Sequence, residues 1–245
     1  MKVSRRIGIS VLMIVFLAVA LCFGQDTAEQ ILVKGFEYAA QGEFKEAKEQ
    51  FEKALKIEPH FEGAIKCLEV IKDVNEGKIK SKTAIHIFKG EIAYWVNGRL
   101  IEAIAEYNKA MQINPRYAVP YGYRGDLYLI QGLYDEALSD CNKAIELNPR
   151  YVSAYNTRGV AYYSKGQYDQ AILDFNKAIE IEPRNAMPYN NRALVMMELG
   201  NTEMACSDWK RACELGDCRS YTTAKKLGYC EEKTVLWRVT GMVKL

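Results

Sequence analysis

The chain has 245 residues, 49% of them hydrophobic and 26% charged, a composition that folds into a globular body rather than staying disordered. Lys and Arg number 33 against 31 Asp and Glu, and Lys2, Arg5 and Arg6 stand in the acid-free first 24 residues, so the remainder has one more acid than base. A body without net positive charge excludes nucleic acid as the main ligand. Two histidines, His60 and His86, exclude most His-built metal sites and histidine-based triads.

Residues 1–24 read as an address, a signal peptide or membrane anchor. Lys2, Arg5 and Arg6 precede an apolar run over 7–23 broken only by Gly8 and Ser10. Cys22 and Gly24 place small residues where a signal peptidase cuts, so cleavage is expected after Gly24. A retained anchor is the first alternative, with residues 7–23 as a membrane tether and the body outside the cytoplasm. A lipid on Cys22 is a second, although Leu21 is bulky there, and Ser4-Arg5-Arg6 is a partial twin-arginine signal. Every route sends the body out of the cytosol, to a bacterial periplasm or the medium.

The body repeats itself. Pro59, Pro115, Pro149 and Pro183 close the strings KALKIEP, KAMQINP, KAIELNP and KAIEIEP, and the last three prolines are 34 residues apart. Pro120 and Pro188 fall in a first helical turn, where proline is tolerated. Tyrosine recurs as Tyr38, Tyr94, Tyr128 and Tyr162. Glycine recurs in a turn as Gly42, Gly98, Gly132, Gly166 and Gly200. Two alanine columns come next, Ala47, Ala103, Ala137, Ala171, Ala205 and Ala54, Ala110, Ala144, Ala178, Ala212. Between them stand Phe51, Tyr107, Cys141, Phe175 and Trp209. Antiparallel helices approach closely only where one side is small; alanines supply that side and the large residues fill the neighbouring holes. Glycine ends each first helix and allows a tight turn.

A 34-residue period with these columns resembles the tetratricopeptide repeat. The resemblance covers five units, 28–61, 84–117, 118–151, 152–185 and a degenerate 186–219. It implies an all-α, right-handed superhelix of antiparallel helix pairs whose concave groove binds segments of other proteins. The first unit keeps Gly35; the second has Gly90 one place early; the fifth has Met196 in the tyrosine column and Asp217 in place of proline. The period slips once, because Pro59 and Pro115 are further apart. The extra stretch 62–83 holds Ala64, Ile65, Leu68, Ile71 and Val74 at helical spacing, then Gly77 and a polar linker. It predicts a helix without a partner, followed by a hinge. Residues 219–229 read as a capping helix, needed at a solenoid's end, and 230–245 as a tail in which Trp237 packs back or forms a sticky site.

Arg124, Arg158 and Arg192 each stand 16 residues before Asp140, Asp174 and Asp208, with the turn glycine midway, which predicts a charge pair across each hairpin. The inward faces of the first helices offer a partner-binding groove of Phe88, Trp95, Tyr123, Asp126, Asn156, Tyr163, Asn190 and Asn191. Amides grip an extended backbone there and aromatics pocket its side chains. Only Lys89 stands among these columns, so no carboxylate clamp for acidic C-termini is expected.

Six cysteines lie beyond Cys22. Cys67 and Cys141 lie on apolar helix faces as free core residues. Cys206, Cys213, Cys218 and Cys230 flank the last hairpin and are disulfide candidates. The nested pairs 213–218 and 206–230 suit an antiparallel hairpin, though four cysteines allow three connectivities. A zinc site or redox thiol is the rival reading, without a C-x-x-C or nearby histidine to support it. No phosphate loop, dinucleotide fingerprint, zincin motif or nucleophile elbow occurs. The sequence thus points to an exported protein-binding scaffold without catalytic residues, metal or cofactor. The alternatives are a structural component of an envelope assembly and a cryptic enzyme of the cysteine-rich helical-repeat type.

Overall fold

The computed structural model describes residues 26–230, so the apolar N-terminal run and the tail 231–245 lie outside the described residues. In chain order the helices are α1 Ala28–Gln41, α2 Phe44–Ile57, α3 Glu62–Asn75, α4 Ser81–Glu91, α5 Leu100–Ile113, α6 Ala118–Gln131, α7 Tyr134–Leu147, α8 Val152–Ser164, α9 Tyr168–Ile181, α10 Ala186–Glu198, α11 Thr202–Glu214 and α12 Arg219–Lys226. Among the described residues there is no strand, and no helix is long and apolar enough to cross a membrane. The helices pair as antiparallel hairpins that stack into a superhelix.

Local chemistry sets the pattern. Thr27 opens α1 with a capping box, its hydroxyl accepting from the Gln30 amide while the Gln30 side chain accepts from the Thr27 amide. All five turn glycines have φ between 64° and 88°, a left-handed backbone that a side chain would strain. Both alanine columns are fully buried, and the large residues between them are at most 6% exposed. Each such knob fills a hole over a glycine of the facing helix. A Cβ on Gly35 would lie 2.3 Å from Phe51, one on Gly90 2.3 Å from Tyr107, and one on Gly159 2.6 Å from Phe175.

Gly90 stands early for a structural reason. Seven positions separate Gly35 from Gly42 and Gly125 from Gly132, but eight separate Gly90 from Gly98. The extra residue is absorbed as a π-helical turn, Ile92–Val96, at the end of α4, where the Asn97 amide reaches back to the Ile92 carbonyl at 3.2 Å.

The three predicted charge pairs are present as forks. Arg124 donates twice to Asp140, both at 2.7 Å. Arg158 donates to Asp174 at 2.8 and 2.6 Å, and Arg192 to Asp208 at the same distances. The third guanidinium nitrogen of each donates to Asn108, Asn142 or Asn176 of the preceding hairpin. One arginine therefore ties its own hairpin together and ties it to the one before. In the π-turn hairpin, His86 Nδ1 meets Glu106 Oε2 at 2.7 Å instead.

The inserted helix differs from expectation. α3 has partners, packing on α2 and α4, and its Ala64, Cys67, Val70 and Ile71 are buried in one apolar core that runs from α1 to α6. Nor is the linker a hinge. Gly77 makes a tight turn, Ile79 behind it is buried, and Lys78 bridges Asp73 at 3.1 Å and Glu76 at 2.7 Å. Because α3 stands aside, α1 packs directly on α4, and Phe36, Phe51 and Phe88 meet with ring centroids 5.9–6.4 Å apart.

At the far end, Cys206 is bonded to Cys230 and Cys213 to Cys218, the nested connectivity, while Cys67 and Cys141 are free and buried.

Candidate functional site

The superhelix curls until its ends touch. A Cβ on Gly216, in the α11–α12 turn, would lie 3.6 Å from His60 Cδ2, in the α2–α3 turn. Between them opens a cleft of about 1740 Å3. That exceeds the span of small-molecule pockets, roughly 300–1,000 Å3, and suits a segment of chain. One wall is the α3 face with Ile65, Lys66, Glu69, Lys72 and Asp73. The other is formed by the loops before α8 and α10, the start of α10, and the start of α12.

The eight groove candidates separate in space. Asn190 and Asn191 line the cleft. Asn191 Nδ2 donates to Asn156 Oδ1 at 2.8 Å, and Asn156 Nδ2 donates to Met187 Sδ at 3.0 Å, a weak acceptor. Asn190 Nδ2 donates to Asp217 Oδ2 at 3.0 Å, while its Oδ1 is buried without a partner. This amide row spans α8, α10 and the cap.

The remaining five lie elsewhere. Phe88 is a correction: it is fully buried between α1 and α2 and has no surface to offer a partner. Tyr123 is another, 8% exposed and edge-on to Tyr107 in the same core. Helical spacing placed both on the inward face, but the direct α1–α4 contact and α3 cover that face in the N-terminal half. Asp126 accepts from the Thr157 hydroxyl, joining α6 to α8. Tyr163 is half-buried, its hydroxyl 3.3 Å from Glu198 Oε1. Trp95 sits on the π-helical turn, half exposed, with Nε1 donating to Glu91 Oε2 at 3.0 Å.

Sequence reasoning missed the charged lining. Arg150 and Arg184 both line the cleft, and each directly follows a repeat proline, as Arg116 does; that 34-residue arginine column was the available signal. Also missed was the opposite wall, since nothing in one chain's spacing says where an inserted helix docks. Burial pushes the Glu69 carboxyl above its usual range, helped by Glu182 and Asp73 nearby. Arg219 beside Asp217 holds that carboxyl below its usual range. Asp73 is anchored by the Tyr117 hydroxyl at 2.9 Å and by Lys78.

Beneath α3 lies a second polar group. Glu91 is buried and its pKa is pushed up to about 7 by that burial, against the hydrogen bonds that Tyr107 (2.5 Å) and Trp95 donate to it. The Cys67 thiol is also pushed well up, by burial first and then by Glu91. A buried, protonated thiol is a poor nucleophile. Among the described residues no three His, Cys, Asp or Glu stand together as metal ligands.

The family description "Tetratricopeptide repeat" matches residues 28–61, and "TPR repeat" matches 125–165 and 159–200. Comparison with curated proteins gives no match. Among solved structures, the first TPR of Spaghetti (RPAP3) bound to the HSP90 peptide SRMEEVD is 31% identical over 49% of this chain and 94% of its own, with a TM-score of 0.46. The first TPR domain of human RPAP3 is 30% identical over 50% and 95%, with a TM-score of 0.47. MamA is 24% identical over 78% and 96%, with a TM-score of 0.50. With its glycine-ended hairpins, buried alanine columns and 34-residue period, this chain belongs to the tetratricopeptide repeat family.

Proposed function

We propose that this protein is an exported scaffold that holds an extended segment of a partner protein in the cleft between α3 and the C-terminal repeats, without catalysis. The observation that supports this best is the amide row. Asn156, Asn190 and Asn191 border a cleft of segment size, and their hydrogen-bonding capacity is spent on a thioether or left unpaired. An extended backbone carries donors and acceptors of the kind such amides accept. The working surface is the C-terminal half of the groove, from units 152–185 and 186–219, because core packing covers Phe88 and Tyr123 in the N-terminal half. Export rests on the basic and apolar pattern of residues 1–24. The buried Cys67 thiol and the absence of catalytic motifs from the sequence favour binding over chemistry.

The test is a crosslinked pull-down from the native host's envelope with an Asn156/Asn190/Asn191 triple alanine variant alongside. A partner captured by the native protein and at least tenfold depleted with the variant, whose helical signal is intact, supports the cleft. Equal capture by both overturns it. The mass of the protein recovered from that fraction decides between cleavage after Gly24 and a retained anchor.

A further inference from the structure

We propose that residues 233–245 of this same chain occupy the cleft as an extended strand, which a partner segment must displace. This rests on the reading of the cleft as a segment-binding surface.

Three observations point to this occupant. The first is apolar. Ile65 on one wall and Met187 and Leu194 on the other are 40%, 40% and 45% exposed, side chains that a water-filled cleft leaves wet. Facing apolar walls of this kind mark a docking surface. The second is charge. Glu69 of α3 stands across from Glu182 of the α9–α10 loop, near enough for the two carboxylates to repel. A cation between two like charges relieves their repulsion. The cleft also holds Arg150 and Arg184.

The third is the composition of the chain beyond Cys230. Residues 233–245 carry Lys233, Arg238 and Lys244 and no acid, while the preceding Glu231 and Glu232 match the arginines. Val235, Trp237 and Val239 alternate with Leu236, Arg238 and Thr240. In an extended strand successive side chains point to opposite sides, so one side is apolar and can lie on Met187 and Leu194 while Arg238 turns to the carboxylates. Reach is sufficient. The disulfide to Cys206 holds Cys230 one short helix away from Ser220 and Thr223, which line the cleft. Eight helical residues span about 12 Å, whereas ten extended residues reach roughly 33 Å.

Hydrogen exchange on the full chain tests this, with a full-length Trp237→Asp variant and a synthetic peptide of residues 231–245. In the native protein, amides 234–243 are expected to exchange at least tenfold slower than in the free peptide. In the variant that protection is lost, segments 65–73 and 186–194 exchange faster, and the added peptide restores them. Tail amides exchanging at the free-peptide rate overturn the proposal. So does a protected tail whose disruption leaves both cleft segments unchanged, since the tail then docks elsewhere. The two readings fail separately. A free tail together with loss of partner by the Asn triple variant sinks only the cis occupant; a docked tail with capture unaffected by the Asn changes sinks only the partner cleft.

Discussion

At the scale of single residues, close packing decides what the sequence tolerates. Gly159 faces Phe175 so closely that a methyl group would sit 2.6 Å from the ring, whereas Gly125 faces the smaller Cys141, with 3.1 Å to its sulfur. Alanine gains up to about 1 kcal/mol of helix propensity over glycine, but overpacking a core costs about 1–3 kcal/mol. Gly159→Ala is therefore expected to destabilise, and more than Gly125→Ala; urea denaturation of the two variants checks the order. Glu91 makes a second prediction. Its folded pKa of about 7 lies above the ordinary 4.5, so between those values the native state binds the extra proton. Stability must fall as pH rises from about 4.5 to 7 and level off above, by about 3 kcal/mol for this group. Glu91→Gln removes that dependence. Denaturation curves of native and variant proteins at pH 4 and pH 8 should diverge by that amount; parallel behaviour would refute the buried carboxyl's role.

At the scale of elements, the arginine forks explain how hairpins of modest apolar content stay in register. Arg158 reaches Asp174 within its hairpin and Asn142 in the one before, and the Asp174 side chain is 6% exposed. Burial pushes the Asp174 carboxyl up while the guanidinium pulls it down, so the arginine is what makes the buried charge tolerable. Asp174→Ala strands a half-buried guanidinium and should cost about 2–3 kcal/mol. Glu180→Ala removes an exposed pair with Lys177 and should cost less than about 0.5 kcal/mol. Thermal denaturation separates the two. The hairpin that lacks a fork is the one with the π-helical turn, where His86 and Glu106 pair instead. One added residue rotates everything after it on the helix, and this is how Trp95 comes to lie half exposed against Glu91.

For the whole molecule, closure depends on the cap. The α11–α12 turn that approaches His60 is bridged by Cys213–Cys218, and Cys206–Cys230 fastens α12 to α11. Loop-closure entropy values the longer bridge at about 3 kcal/mol. In a solenoid, each repeat is held only by its neighbours. Replacing Cys206 and Cys230 by alanine should therefore melt α12 below the main transition rather than lower the whole curve evenly. Calorimetry of the variant should show a separate early transition, and a single uniformly shifted peak would contradict it.

Much of this architecture was legible in the sequence, because the 34-residue period, turn glycines, alanine columns and Arg–Asp spacing are local or act between neighbouring hairpins. Helix phase and a fixed offset suffice to place such contacts, and the nested cysteine pairs arise from one hairpin in the same way. The position of α3 was not legible. Its apolar face shows in the spacing, but which surface it covers depends on contacts far apart in the chain, such as Tyr117 with Asp73. That docking buries Phe88 and Tyr123 and leaves Asn190 and Asn191 at the cleft. The sequence by itself therefore determined the repeat, its hairpins and its staples. Only the tertiary structure decided which half of the groove stays open, because closure sums small rotations over every repeat and no local pattern encodes that sum.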